Sequence, residues 1–190
     1  MLDRPEGIAP LVLLAEAPLR LHHQAFAVDD QEVTRQFMEG VLGIPLVATW
    51  CERVFRPEVG RDVEYCHTFY SIGDGGAVAF FQFGDEEARE KNRLTLPKVG
   101  GALHTAFKVT QKTFDELVER LQRTGTAHRT IDHGYCLSLY VNSPDGYRFE
   151  FVIDAPNAER IAEMRRADAH AELARWLAGD RTPNNDDRSH

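Results

Sequence analysis

The chain has 190 residues, 43% of them apolar and 27% charged, which argues against extended disorder and fits one compact domain or two small modules sharing a core. Thirty acidic against 22 basic residues leave a formal charge of −8 with no basic run, the opposite of a nucleic-acid-binding surface. The apolar stretch at 8–15 is broken by Pro10 and lacks a preceding positive cluster, so neither a membrane span nor a signal peptide is expected.

Residues 1–20 mix Pro, Glu and Leu without periodicity and read as an N-terminal arm. From there His23-Gln24-Ala25-Phe26-Ala27-Val28 predicts a strand, and 31–41 a helix that stops near Gly43. β-favouring runs follow at 45–51, 62–72 and 77–83, the last introduced by the turn dipeptide Asp74-Gly75. Residues 84–101 read as a polar linker. The pattern then starts again: His104-Thr105-Ala106-Phe107-Lys108-Val109 repeats H-x-A-F-x-V, with a helix at 112–123 ending near Gly125. Val33 and Phe37 occupy the offsets of Phe114 and Val118. Runs at 126–131, 135–141 and 147–153 complete the second copy, with Asp145-Gly146 as its last turn. Agreement of position and pattern signals internal duplication.

The spacing thus predicts module one at 21–83 and module two at 102–155, each βαβββ, followed by a C-terminal helix at 156–178 and a flexible tail at 179–190. On that helix Ala169, Leu173, Trp176 and Leu177 form an apolar stripe that would suit a homodimer contact. Cys51, Cys66 and Cys136 are scattered outside any CxxC pattern, as expected of free thiols in a reducing cytoplasm.

Strand parity gives the repeat its chemistry. Side chains alternate between faces, so His23, Ala25 and Ala27 share one face, and His104, Ala106 and Lys108 share the equivalent one. Small residues beside a histidine leave room for a cup. Glu150 stands in an otherwise apolar run (Phe149, Phe151, Val152), where a carboxylate needs a hydrogen-bonding partner, a cation or a metal. Two histidines and a carboxylate leave open positions on a divalent ion, as in non-haem Fe(II) oxygenases.

These features, with the terminal Pro144-Asp145-Gly146-Tyr147-Arg148-Phe149-Glu150, make residues 20–155 resemble the vicinal oxygen chelate superfamily. That superfamily includes glyoxalases, fosfomycin- and bleomycin-resistance proteins and type I extradiol dioxygenases. The resemblance implies an α+β fold in which two βαβββ modules form a curved mixed β-sheet cup around a metal. His23, His104 and Glu150 would be its ligands. The stretch from His133 to Glu150 is similar to the extradiol signature, which implies that His133 and Tyr140 act beside substrate and oxygen.

The leading expectation is an Fe(II)-dependent ring-cleaving dioxygenase acting on a catechol-like aromatic. The alternative is a glyoxalase-like or thiol-dependent lyase, isomerase or transferase using Mn(II), Ni(II) or Zn(II), and the third is a bleomycin-resistance-type small-molecule binder. For a fourth ligand, one register puts Ala79 at the position equivalent to Glu150, while a one-residue bulge puts Phe80 there with Gln82 nearby. Neither supplies a carboxylate. The direction of His67 stays open, and no nucleic-acid or membrane partner is expected.

Overall fold

The computed structural model describes residues 19–93, 103–180 and 182–185. Residues 1–18 of the expected arm, 94–101 of the expected linker, residue 102, and residues 181 and 186–190 of the expected tail lie outside the described residues.

Module one comprises β1 (His23–Ala27), α1 (Gln31–Arg35) continuing as a π-helical segment Gln36–Leu42, β2 (Leu46–Arg56), β3 (Arg61–Ser71) and β4 (Ala77–Phe83). Module two repeats this with β5 (Thr105–Lys108), α3 (Gln111–Arg123), β6 (His128–Asp132), β7 (Cys136–Asn142) and β8 (Arg148–Asp154). Between them the expected linker carries a helix, α2 (Glu86–Asn92), started by Asp85, whose carboxylate accepts from Ala88 N. The final helix α4 spans Ala158–Leu177.

Each module is a four-stranded mixed sheet, ordered β1-β4-β3-β2 and β5-β8-β7-β6. The first strand of each pairs in parallel with the last, and the remaining pairs are antiparallel. The fold class expected from the sequence is therefore present, as two separate sheets.

The helix registers differ by one residue between modules. Asp30 caps α1, accepting from Glu32 N and Val33 N, whereas Thr110 caps α3. The first helix thus begins one residue later relative to its strand histidine. Its buried face consequently shifts to Thr34, Phe37, Met38 and Leu42, against Phe114, Leu117 and Leu121 in α3. Val33, expected to match buried Phe114, is exposed instead. The helix ends at Gly43, with φ 74° and Ile44 N donating to Met38 O.

The helices lie between the sheets. One core joins Val28, Phe37, Met38, Tyr70, Val78 and Phe80 of module one to Phe114, Leu121, Leu139, Phe149 and Phe151 of module two. Each of the fully buried large side chains, such as Phe80 and Phe149, contributes roughly 1.5–3 kcal/mol of apolar burial. Tyr147 of module two ties the halves further by donating its hydroxyl hydrogen to Ala27 O at the end of β1. Because both inner faces are used in this core, the opposite faces, those bearing His23 and His104, both turn outward. No helix among the described residues is long and apolar enough to cross a membrane.

Candidate metal centre

On the outward face of module two, the register sets side chains in rows. Arg129 pairs with Tyr140 and Tyr140 with Glu150, which in turn pairs with Ala106. His104 immediately precedes β5, and its Nε2 lies 2.9 Å from Glu150 Oε2. Glu150 is only 6% exposed. Its other oxygen, Oε1, accepts from the Tyr140 hydroxyl at 2.7 Å. With that hydrogen committed, His133 Nε2, 2.9 Å from Tyr140 Oη, is the donor to the phenol oxygen. The His133 ring stacks on Tyr135, and its carbonyl accepts from Asn185 Nδ2 at 2.9 Å. The buried carboxylate is therefore satisfied on both oxygens. Burial first, then the bond to Glu150, pushes the Tyr140 phenol up to about 12.

The donor set suits a divalent ion. Imidazole nitrogen and carboxylate oxygen bind such ions at about 2.0–2.2 Å, which puts neighbouring ligands on one ion roughly 3 Å apart. The His104–Glu150 contact of 2.9 Å has that separation.

His23 lies elsewhere. It sits on the outward face of module one, where its ring meets His67 at 6.1 Å and Phe69 at 5.4 Å, and its Nδ1 lies 2.8 Å from His22 Nδ1. Within one chain, then, His104 and Glu150 come together and His23 stays on the other sheet. Among the described residues no group of three or more His, Cys, Asp or Glu side chains could hold a metal. His67, whose direction the sequence left open, faces the same side as His23 and stacks on Phe81 at 3.5 Å. Burial, and then the neighbouring His23, lower it to about 4, so the imidazole is neutral at neutral pH.

The fourth-strand register is also settled. Ala25 pairs with Ala79 as Ala106 pairs with Glu150, so Ala79 occupies the equivalent position. Gln82 faces the helix, where its Oε1 accepts from Gln31 N.

Two hollows flank the Glu150 row. Toward one end, about 480 Å³ is lined by Arg129, Tyr140, Asn142 and Arg148. Toward the other, a cavity of about 610 Å³ lies between Cys136, Val152 and Asp154 of the sheet and Ile161, Ala162 and Met164 of α4. Arg129 and Arg148 escaped the sequence reading, although their parity with Tyr140 and Glu150 is the signal that would have found them. Arg148 Nε donates to Asn142 Oδ1 at 3.3 Å.

Among known proteins, the chain is 26% identical over 145 residues to the glutathione transferase FosA of Serratia marcescens, covering 76% of this chain and 87% of that protein. The crystal structure of the fosfomycin resistance protein FosX from Mesorhizobium loti is 25% identical, with a TM-score of 0.50 over 77% of this chain and 99% of that one. A glutamate-to-glutamine mutant of FosX from Listeria monocytogenes, in complex with Mn(II) and 1S,2S-dihydroxypropylphosphonic acid, is 19% identical, with a TM-score of 0.50 over 75% and 95% of the two chains. The sequence profile of one family covers residues 20–151, most of the chain and both modules, with the candidate ligands inside the match: the protein belongs to the glyoxalase/bleomycin resistance protein/dioxygenase superfamily.

Proposed function

We propose that the protein is a divalent-metal enzyme that transfers a thiol nucleophile to a small molecule presenting two neighbouring oxygens. The observation that carries this reading is the chain His104–Glu150–Tyr140–His133 on one sheet face. When bound, the ion would supply Lewis acidity to the substrate oxygens. His104 and Glu150 would hold it, Tyr140 fixes the carboxylate, and His133 fixes Tyr140. Tyr140 spends its hydrogen bond on the carboxylate, and His133 spends its own on Tyr140, rather than on a substrate ring. This favours Lewis-acid chemistry over the Fe(II)-dependent catechol cleavage expected from the sequence. The likeness to a glutathione transferase supports the same choice, and the neighbour's Mn(II) supports Mn(II) ahead of Fe(II), Ni(II) or Zn(II). Arg129 and Arg148 suit a substrate bearing negative charge, such as a phosphonate.

The third ligand, His23, comes in this reading from a second copy of the chain. Both ligand-bearing faces turn away from the shared core, so one copy's β1 can meet another copy's β5 and β8, and two-fold symmetry then makes two equal sites. The exposed Leu173, Trp176 and Leu177 stripe on α4 supports a homodimer, and three free thiols support a reducing compartment.

Ring cleavage with Fe(II) is the second reading, favoured by the two-histidine, one-carboxylate donor set itself. Protein loaded with Mn(II), and separately with Fe(II) under anaerobic conditions, distinguishes them. Fosfomycin with glutathione should give a thiol adduct in the Mn(II) form. Oxygen uptake on a catechol panel by the Fe(II) form, without adduct, would replace the first reading by the second. Failure to take up any divalent metal overturns both.

A further inference from the structure

Cys51 on β2 and Cys66 on β3 are register partners across an antiparallel pair, and both are free thiols. Such pairs alternate between hydrogen-bonded and non-hydrogen-bonded geometry, with Cα separations of about 5.5 and 4.5 Å. The flanking bonds decide which applies here. Gly84 N donates to Glu64 O on the β4 side of β3, at 2.8 Å. Ser71 N donates to Pro45 O on the β2 side, at 3.0 Å. Even-numbered residues of β3 therefore aim their backbone groups at β4, and odd-numbered ones at β2. Cys66 is even, so its pair with Cys51 is the close, non-hydrogen-bonded kind. A separation of about 4.5 Å falls inside the roughly 4.4–6.8 Å span that a disulfide bridges without moving the backbone.

We propose that Cys51 and Cys66 form a redox-reversible dithiol that closes to a cross-strand disulfide by exchange with glutathione disulfide. Cys51 is exposed and on the edge strand, so it meets the reagent first. Its thiolate attacks one sulfur of glutathione disulfide, breaking that bond and releasing one glutathione thiolate. Cys66 loses its proton to solvent and attacks Cys51 Sγ, expelling the second glutathione. Two protein thiols are oxidised and one glutathione disulfide is reduced to two glutathiones. Burial, then the neighbouring Cys51, hold the Cys66 thiol above its ordinary value, so the closing step quickens as pH rises. Cys136 is buried on β7 in the other module and takes no part.

Full-length protein incubated across a series of glutathione disulfide to glutathione ratios tests this, with intact mass and peptide mapping as readouts. The expected product has lost two hydrogens, carries a Cys51–Cys66 cross-linked peptide, leaves Cys136 open to alkylation after unfolding, and reverts with excess glutathione. Cys66→Ser should stop at a glutathione adduct on Cys51, and Cys51→Ser should form no disulfide. Circular dichroism checks that both variants keep the native spectrum. A wild-type protein that stops at the Cys51 adduct, links Cys136, or stays fully reduced throughout the series overturns the proposal.

Discussion

The two modules place the same strands at the same positions but arm them differently. Around His104, module two sets Tyr140, Glu150 and Arg129. Around His23, module one sets Phe69, Ala79 and Ala48 at the equivalent positions. One face is a polar half-site held by hydrogen bonds, and the other an apolar wall carrying a single imidazole beside His67. Duplication preserved the backbone frame while the side chains diverged: one module carries the carboxylate on its outward face, and the other carries His23 among apolar residues. The three-ligand site proposed above would join one face of each kind.

The strongest way to break that comparison is complementation. His23→Ala and His104→Ala should each be inactive, but mixing them under exchange should return about a quarter of wild-type sites if ligands come from two copies, since one site of each mixed dimer is then intact. No recovery would place all three ligands in one chain. Next, Tyr140→Phe removes the hydrogen bond to Glu150 and should lower metal affinity or activity about 10- to 100-fold, measured by metal titration and turnover. Ala79→Glu, which mimics module two at a fully buried position, should cost about 3 kcal/mol in denaturant unfolding. Adding Phe69→Tyr should recover about 1 kcal/mol by supplying the missing donor.

The smallest effect concerns the two Asp-Gly turns. Asp74 closes its own turn, accepting from Gly76 N, whereas Asp145 reaches across to accept from Asp29 N. Burial raises the Asp145 carboxyl above its usual range. Its contribution to stability is thus complete below the unfolded value of about 3.9 and is lost as pH rises through the higher folded value. Asp145→Asn should therefore stabilise the protein at neutral pH by under about 1 kcal/mol and give no gain at pH 3, as thermal melts at the two pH values would record.

The duplication was legible because His23 and His104 head identical strand patterns, and Glu150 because a carboxylate among Phe149, Phe151 and Val152 demands a partner. Strand parity also anticipated which face each would occupy. What parity cannot supply is how two sheets are set against each other. That depends on helix packing, where Phe37, Met38 and Leu121 fill one common space, and it is why His23 and Glu150 part company within the chain. The hydrogen bond of Tyr140 was equally hidden: the family resemblance implied a group beside substrate and oxygen, and did not foretell that its hydroxyl donates to Glu150. The α2 helix went unread because six of its seven residues are polar and carry no apolar stripe, and only Ala88 is buried.

The common core also constrains ancestry. A solitary βαβββ unit of this kind would leave Phe37, Met38 and Phe80, or in the other module Leu117 and Phe151, open to water. A single-module forebear could thus have been stable only as a pair, its sheets closed over one another's helices. Gene fusion would then have made that pairing permanent, freeing each half to mutate without its twin following.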